Sequence, residues 1–340
     1  MLAKNIHDFT NLHQMISDGY ITIKRHPALP LFIYNYTHRA QYQSVWDETT
    51  LQCRGLVCDD SGNIVARPFR KFFNLSELKV IPDEVFDVYE KYDGSMVSVF
   101  YYAGEWIVAS RGSFVSEQAI KAKELLWQSD VNSLVTGYTY VFEVIYPENR
   151  IVVDYGDKED LILIGAFRTG SGREVDIDLF AEDGFTVAKR YPIANLDNLL
   201  EFERRNAEGF VIRFESGLRA KVKYDEYVRL HRIVSGTNEH SIWEALSSGI
   251  SLDKFTENVP DEFYAWVKEV SNRMTEQYRN ILIECLELFS TLRGDTRKEL
   301  ALQYIQTEYA KILFAMLDQR DYSKMIWSLI EPKGEIKNEL

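Results

Sequence analysis

The sequence predicts an α+β protein, in which an antiparallel-sheet domain over residues 1–234 is followed by an all-helical C-terminal domain over residues 235–340. The chain has 340 residues, which is too long for one average domain and fits two. Its first two thirds contain short apolar runs rich in β-branched and aromatic residues, separated by turn signals such as Asp60-Ser61-Gly62-Asn63. After about Ser235, apolar residues instead recur at three- and four-residue spacing, which is typical of amphipathic helices.

The individual elements follow from these patterns. The predicted strands, in chain order, are LFIYNYT, GLVCDD, PDEVFDVYE, MVSVFYY, EWIVAS, TYVFEVIY, RIVVDY, LILIGAF, GFVIRFE and AKVKY. One helix is predicted among them, from about Ser116 to Gln128, because a serine that can cap it is followed by helix formers. The helical domain is predicted from the segments FYAWVKEVSNRMTEQYRNILIECLELFSTL and RKELALQYIQTEYAKILFAMLD.

Composition and charge limit the class of protein. The net charge of -13 argues against a protein that coats nucleic acid non-specifically, but it allows a local basic cleft. The N-terminus lacks the features of a secretory signal and no stretch approaches the length of a membrane span, so we expect a cytoplasmic protein with no membrane partner. Cys53, Cys58 and Cys285 lack metal-type spacing and are predicted to be reduced and packed in apolar surroundings.

The strongest local signal is Lys91-Tyr92-Asp93-Gly94, which lies between two predicted strands. A lysine amine can act as a covalent nucleophile, provided that burial or neighbouring cations remove the proton it carries at an unperturbed pKa of ~10.4. Gly94 allows the backbone to approach a ligand closely. Taken alone the motif is weak, because an exposed turn that happens to contain a lysine is the much commoner explanation.

Other charged residues strengthen the signal. Lys221 and Lys223 alternate with Val222 in a predicted strand, so both ammonium groups point the same way. Two convergent cations suit an α-phosphate and a departing pyrophosphate, although lysines that protect an exposed strand edge are the alternative.

Two carboxylates accompany the lysines. Glu208 precedes Gly209 at the start of a predicted strand, and Glu143 lies inside the apolar run VFEVIY. An unpartnered carboxylate is costly to bury, so Glu143 should have a functional partner: magnesium, a ribose hydroxyl or a lysine. The alternative is a structural salt bridge, for example to Arg150.

Three further basic residues, Arg54, Lys71 and Arg111, lie in strand or turn contexts. An arginine next to a glycine occurs twice, which suggests guanidinium groups held where the backbone comes close to phosphate. Phenylalanines at 72 and 73 belong more often to a core, but Phe73, close to Lys71, is also a candidate wall of a purine pocket.

In this order, the motifs resemble those of the covalent nucleotidyltransferases, which include ATP-dependent DNA ligases, RNA ligases and mRNA capping enzymes. The flanking words CRG, KFFNL, KxDGS, SxGSxxSEQA, FExxxPxNRIV, EGFV and KxKxxxYVxLH resemble in particular the phage-type RNA ligase 1 family, whose members repair cleaved tRNA. The likeness runs from about Phe32 to His231 and implies a nucleotidyltransferase fold of the ATP-grasp-like ligase type. Matching is poor in the helical domain, which is thought to confer RNA preference in that family.

The resemblance also implies a role for each residue. Lys91 would carry AMP; Arg54, Lys71, Arg111, Lys221 and Lys223 would bind the triphosphate; Glu143 and Glu208 would serve the ribose or metal-bound waters; Gly94 and Gly209 would permit close approach; Tyr227 would be an auxiliary site residue. The implied cofactors are ATP and Mg²⁺, or Mn²⁺ in its place. Arg111 departs from the family pattern, where a lysine is expected, so positioning at this residue is open.

The predicted reaction has three steps: Lys91 takes AMP from ATP, passes it to an RNA 5′-phosphate, and an RNA 3′-hydroxyl then displaces AMP. The implied partners are RNA with such ends, with tRNA as one candidate, and a separate polynucleotide kinase/phosphatase that prepares the ends. The alternatives are a DNA ligase or capping-type enzyme, which would need an OB-type barrel, and an inactive nucleic-acid-binding module.

Overall fold

The structure, a computed structural model, describes residues 4–181, 184–234, 238–252 and 261–332. The chain divides into two compact units, Met1–Val234 and Ser235–Leu340. In the described residues the first unit contains all the strands and the second consists of helices and their connections. The predicted α+β class, with a helical region after the sheets, is therefore confirmed.

The strands of the first unit form three sheets. They are β1 Ile21–Arg25, β2 Leu31–Tyr36, β3 Arg54–Asp59, β4 Ile64–Ala66, β5 Phe73–Asn74, β6 Phe86–Lys91, β7 Ser95–Tyr102, β8 Glu105–Ser110, β9 Tyr138–Ile145, β10 Asp160–Arg168, β11 Glu174–Val175, β12 Thr186–Val187, β13 Arg190–Tyr191, β14 Gly209–Phe214 and β15 Arg219–Lys223. The sheet orders are β1-β2-β3-β4, β11-β10-β9-β7-β8 with β12 beside β10, and β13-β6-β14-β15-β5. Most pairings are antiparallel, and only β12 with β10 and β5 with β15 are parallel among the described strands.

The longest described α-helix, with 31 residues, lies in the second unit. The α-helices are α1 Leu12–Ser17, α2 His38–Tyr42, α3 Glu48–Gln52, α4 Glu117–Gln128, α5 Leu196–Leu200, α6 Asp225–Val234, α7 Glu239–Ser247, α8 Asp261–Thr291, α9 Arg297–Tyr304, α10 Ala310–Leu317 and α11 Ser323–Leu329. Helix α4 is the predicted one, and the Ser116 hydroxyl caps it by accepting a hydrogen bond from the Ala119 amide.

One predicted strand is absent. RIVVDY, residues 150–155, is an irregular segment rather than a strand. The amides of Val152 and Val153 donate to the carboxylate of Asp93, at 2.8 Å each, so a side chain takes the place of a neighbouring strand. The apolar pattern correctly indicates burial, since Val153 is 2% exposed, but the strand prediction is wrong.

The second predicted helical segment is broken in two. Helices α9 and α10 are separated at Thr307, whose amide and hydroxyl both donate to the carbonyl of Tyr304. A threonine that bonds a nearby carbonyl competes with the regular helical pattern, so the chain turns here although its apolar spacing continues.

The largest core of the first unit lies between α4 and the sheet of β7, β9 and β10. Val97, Phe142 and Leu163 from the strands pack with Leu126 of the helix. Burial of these apolar side chains stabilises the sheet on the face that contacts α4. Polar groups lie instead at the strand ends and on the other sheets.

Two predictions from composition are tested by the structure. The three cysteines are free and buried, as expected. Among the described residues, no helix combines the length and the apolar character needed to cross a bilayer.

Candidate active site

Three neighbouring strands bring two of the predicted site lysines to one face. Gly209, at the start of β14, stands opposite Lys91 of β6 on one side and opposite Lys223 of β15 on the other. Residues directly opposite in a ladder project to the same face. Lys221 lies two residues before Lys223 on the same strand and therefore shares that face.

Glu208 joins the two lysines. Its Oε2 lies 2.8 Å from the Lys91 Nζ and its Oε1 lies 2.9 Å from the Lys223 Nζ. Burial would raise the pKa of Glu208, but the ammonium groups of Lys223 and Lys91 outweigh burial and hold that pKa below its usual value. The Lys91 side chain is 21% exposed and that of Lys223 only 5%, so Lys91 is the accessible amine of the pair.

Gly209 cannot be replaced without moving these strands. A Cβ at this residue would lie 2.0 Å from the carbonyl oxygen of Val222 and 2.8 Å from the Cα of Lys223. Its φ of +146° also belongs to a region that other residues rarely adopt. The predicted close approach at Gly209 is thus an approach of β14 to β15.

Asp93 of the Lys-x-Asp-Gly motif serves the backbone of the site. It is 3% exposed, its Oδ2 accepts from the amides of Val152 and Val153, and its own amide donates to Tyr155 Oη at 2.9 Å. A buried carboxylate with several hydrogen-bond donors holds its loop rigidly. Asp93 therefore fixes the end of the Lys91 strand against the segment around Val152.

Tyr227, the predicted auxiliary residue, is part of the same network. Its hydroxyl donates to Asp93 Oδ1 at 2.7 Å, and the Lys223 Nζ lies 5.0 Å from its ring centroid. Only 3% of Tyr227 is exposed, so its side chain supports Asp93 and Lys223 from the protein interior and offers little surface to a ligand.

Gly94 determines how closely the motif approaches β9. A Cβ at Gly94 would lie 2.5 Å from the carbonyl oxygen of Val144 and 3.1 Å from the Cγ of Glu143. The absent side chain thus brings the Lys91 loop against the strand that carries Glu143.

Glu143 is a half-buried carboxylate that neither hydrogen-bonds to nor forms an ion pair with another described residue. Arg150, the residue named as a structural alternative, pairs with Asp154 at 2.8 Å instead. Burial raises the pKa of Glu143 to about 7; Lys91 and Arg54 oppose this shift and Glu208 adds to it. Within the described part of the chain no side chain hydrogen-bonds to this carboxylate or pairs with it, which leaves it available to a ligand.

A second group of cations surrounds the ring of Tyr36. The Arg111 guanidinium lies 5.4 Å from the ring centroid, and Arg54 hydrogen-bonds to the Tyr36 side chain. Arg54 also donates to the sulfur of Met96 at 3.0 Å, and burial lowers its pKa. Gly55 lets the two arginine segments meet, since a Cβ there would lie 3.2 Å from the Arg111 carbonyl oxygen.

Lys71 belongs to the same group. It is 8% exposed, and its Nζ lies 5.9, 5.4 and 5.3 Å from the ring centroids of Tyr36, Trp46 and Phe73. Phe73 thus covers Lys71 in this structure, and a role for Phe73 in a purine pocket stays a prediction.

The predicted site gathers six basic side chains in an acidic protein. The carboxylates of Asp93, Glu143 and Glu208 lie among them, and Glu208 pairs with two of the six. This concentration of basic groups suits a polyanion such as a nucleotide phosphate chain. Among the described residues, no group of three or more His, Cys, Asp or Glu side chains could hold a metal.

Three residues that sequence reasoning missed are Tyr36, Trp46 and Tyr155. Tyr36 and Trp46 contact the basic group, and Tyr155 accepts the Asp93 amide hydrogen bond. The sequence offers no motif for Tyr36 or Trp46, because aromatic residues at strand ends and before helices usually belong to a core. Tyr155 is hidden by the mistaken strand prediction.

Comparisons with known proteins agree with this geometry. A family model described as RNA ligase matches residues 52–228, more than half of the chain. A Thermovibrio ammonificans protein that bears the name of an RNA ligase is 29% identical over 293 residues, which cover 77% of this chain and 74% of that protein. An RNA ligase of Rhodothermus phage RM378 is 24% identical over 407 aligned positions, which cover 90% of each chain.

The fold also resembles a solved structure. An archaeal ATP-dependent RNA ligase aligns with a TM-score of 0.52 at 16% identity, covering 91% of this chain and 77% of that one. This likeness shows a shared fold. The family model contains Lys91, Glu143, Glu208 and Lys223 within its matched range. The chain belongs to the RNA ligase family.

Proposed function

We propose that this protein is an ATP-dependent RNA ligase in which Lys91 is the nucleophile. The observation that carries the proposal is the accessible amine of Lys91, held by Glu208 beside a concentration of cations, in a chain of the RNA ligase family. A lysine amine forms a phosphoramidate with AMP when it attacks an α-phosphate and pyrophosphate leaves.

In the first step, the Lys91 nitrogen forms a bond to the α-phosphorus of ATP and the bond to pyrophosphate breaks. The Lys91 ammonium must give up a proton to solvent before it attacks, and its ion pair with Glu208 opens as this happens. Lys223 remains on Glu208 and keeps that carboxylate ionised. Lys223 and Lys221, with Arg54, Lys71 and Arg111, would bind the triphosphate and offset the charge that develops on pyrophosphate.

Glu208 changes partners in this scheme. Lys91 carries no positive charge once it holds AMP, so the Glu208 oxygen that it occupied becomes available. That oxygen can then accept from a ribose hydroxyl or from a metal-bound water. Glu208 is thus first a partner of Lys91 and afterwards a candidate ligand for the nucleotide or the metal.

The residues fit a magnesium ion that is shared with the nucleotide. Mg²⁺ needs only one or two carboxylates in addition to phosphate oxygens and water, and Glu143 is an available carboxylate beside Lys91. When bound, Mg²⁺ or Mn²⁺ would offset negative charge on the phosphates. The archaeal structure that shares this fold is named as ATP-dependent, which supports ATP as the nucleotide here.

In the later steps, an RNA 5′-phosphate displaces Lys91 from AMP, and an RNA 3′-hydroxyl attacks the activated phosphate as AMP leaves. An enzyme that needs a 5′-phosphate and a 3′-hydroxyl depends on a kinase and a phosphatase wherever RNA breakage leaves other ends. We include such a healing activity, and tRNA as one candidate substrate, in the proposal.

The two units would divide this work. The unit Met1–Val234 contains every predicted site residue and would carry the adenylyl transfer. The helical unit would contribute to the choice of RNA. The free, buried cysteines are consistent with action in the reducing cytoplasm.

The test is incubation with α-labelled ATP and Mg²⁺, followed by denaturing electrophoresis. We expect label on the wild-type protein and none on Lys91→Ala. Lys158→Ala is the control, because Lys158 makes an exposed pair with Asp160 outside the predicted site. Addition of RNA with a 5′-phosphate and a 3′-hydroxyl should transfer the label to the RNA, and circular RNA should then form.

Other outcomes would redirect the proposal. Label that is never transferred to RNA would indicate a nucleotidyltransferase with another acceptor. RNA binding without any label, in protein shown to be free of bound AMP, would favour an inactive binding module.

A further inference from the structure

Trp46 completes an aromatic box around the ammonium group of Lys71. The Trp46 ring meets that of Tyr36 edge to face at 5.1 Å and that of Phe73 at 5.6 Å. The Lys71 Nζ lies within 6 Å of the centroid of all three rings. Because Trp46 contacts both of the other rings, it is the central member of the box.

The backbone around the box is also fixed. Asp47, the residue after Trp46, caps α3 by accepting from the Thr50 amide at 2.8 Å, and it pairs with Asn11 of the N-terminal segment. The Lys71 amide donates to the carbonyl of Leu51, the fourth residue of α3, at 2.8 Å. Trp46 and Lys71 are therefore anchored at the same short helix.

The box faces the other cations. The Tyr36 ring is also in contact with Arg111, and its side chain hydrogen-bonds to Arg54. Desolvated cations at close range repel one another, and the faces of aromatic rings attract ammonium and guanidinium groups. The three rings of the box therefore contribute to holding the Lys71 ammonium close to the two arginines.

We propose that Trp46 is a positioning residue that holds the Lys71 ammonium for the phosphates that leave as pyrophosphate. This inference rests on the proposed ligase function, in which the α-phosphate must lie at Lys91. The group around Tyr36 then provides the remaining concentrated positive charge for the β- and γ-phosphates. Trp46 acts through Lys71 and touches no reacting atom.

The proposal predicts that a change at Trp46 affects the step that uses ATP and releases pyrophosphate, but not the sealing of adenylated RNA. Trp46→Leu should raise the ATP concentration needed for half-maximal labelling of Lys91 by about ten-fold, because one strong cation–ring contact is lost. The pyrophosphate concentration needed to reverse the labelling should rise in the same proportion. Sealing of RNA that is already adenylated should stay within about two-fold, since that step involves no pyrophosphate.

Fluorinated tryptophans placed at residue 46 alone separate positioning from folding. Fluorine changes ring volume little but weakens the negative face that attracts a cation. We expect the half-maximal ATP concentration to rise by about two-fold with each added fluorine. The same substitutions at Trp106, which packs between Tyr101 and Tyr140 in the core of the same unit, should have no graded effect.

The outcomes are distinct. A flat fluorine series at residue 46, in protein that still labels Lys91, overturns the positioning role and leaves the ligase function standing. A loss of thermal stability in Trp46→Leu without any change in the ATP or pyrophosphate requirement likewise overturns the positioning role. Absence of label in the wild type would instead contradict the function itself.

Discussion

The properties of Glu143 depend on its place in the fold, because β9 brings it close to Lys91 and Arg54 and no described side chain pairs with it. Burial raises its pKa from 4.5 to about 7. A carboxyl group whose folded pKa is raised binds more protons in the folded than in the unfolded state between those two values. Stability is therefore lost as the pH rises through this window and the loss is complete above the folded pKa.

We expect Glu143→Gln to become more stable relative to wild type as the pH rises. The difference between their free energies of unfolding should shift by about 2 kcal/mol in favour of the variant from pH 5.5 to pH 8. Urea unfolding at several pH values measures it. Parallel pH profiles for the two proteins would show that the Glu143 pKa is not raised.

Tyr227 offers a second test at the residue scale. Tyr227→Phe removes the hydroxyl that donates to the buried Asp93 carboxylate, so we expect a loss of about 1.5–3 kcal/mol in the free energy of unfolding. Labelling of Lys91 should slow as well, because Asp93 fixes the motif. Tyr20→Phe is the control: its hydroxyl bonds Gln43 at an exposed place, and its loss should cost much less. Equal effects of the two variants would contradict the supporting role of Tyr227.

At the scale of elements, strands β6, β14 and β15 determine the site, and Gly209 is their tightest point. Gly209→Ala should lower the free energy of unfolding by several kcal/mol, because the new Cβ would overlap the Val222 carbonyl. The unfavourable backbone conformation alone would account for about 1–2 kcal/mol of this loss. Gly217→Ala is the matched control: Gly217 also has a positive φ, +84°, but a Cβ there meets nothing within 4 Å. Thermal unfolding with AMP labelling measures both, and equal stability of the two variants would exclude the steric argument.

The sequence predicted a helix or strand correctly where its apolar periodicity matches the hydrogen bonds that its backbone makes in the fold. Helix α4 and strands β7 to β10 follow their patterns closely. The failure at residues 150–155 has a physical cause, since the Asp93 carboxylate takes the amides that a partner strand would have used. Apolar spacing reports burial, but it does not report which group accepts the backbone hydrogen bonds.

The candidate site was predictable in part for a related reason. Charged residues inside apolar runs, such as Glu143, are conspicuous because burial makes them costly. Tyr36 and Trp46 are not, because an aromatic residue that holds a cation has the same local sequence as one in a core. The role of Tyr36 and Trp46 is apparent only in the folded structure, where Lys71 lies close to both rings.

On the scale of the whole molecule, the division into two units makes a prediction about truncation. A chain of residues 1–234 retains its own cores and every predicted site residue, so we expect it to label Lys91 with AMP. Sealing of a structured RNA should fall by about ten-fold or more if the helical unit supplies about 1.4 kcal/mol of RNA binding. Labelling and sealing assays on the full and truncated chains measure this, and undiminished sealing would remove the helical unit from substrate choice.

The ladder of Lys91, Gly209 and Lys223 has a consequence for how such a site can change over time. Neighbouring strands lie about 4.8 Å apart, so the lysine backbones are held about two strand spacings from each other with a glycine between them. An insertion or deletion in β14 would shift its register against both partners at once and turn side chains to the other face. A single insertion in β14 would therefore displace Lys91, Glu208 and Lys223 relative to one another all at once, whereas a change in the length of a connecting loop need not alter the ladder.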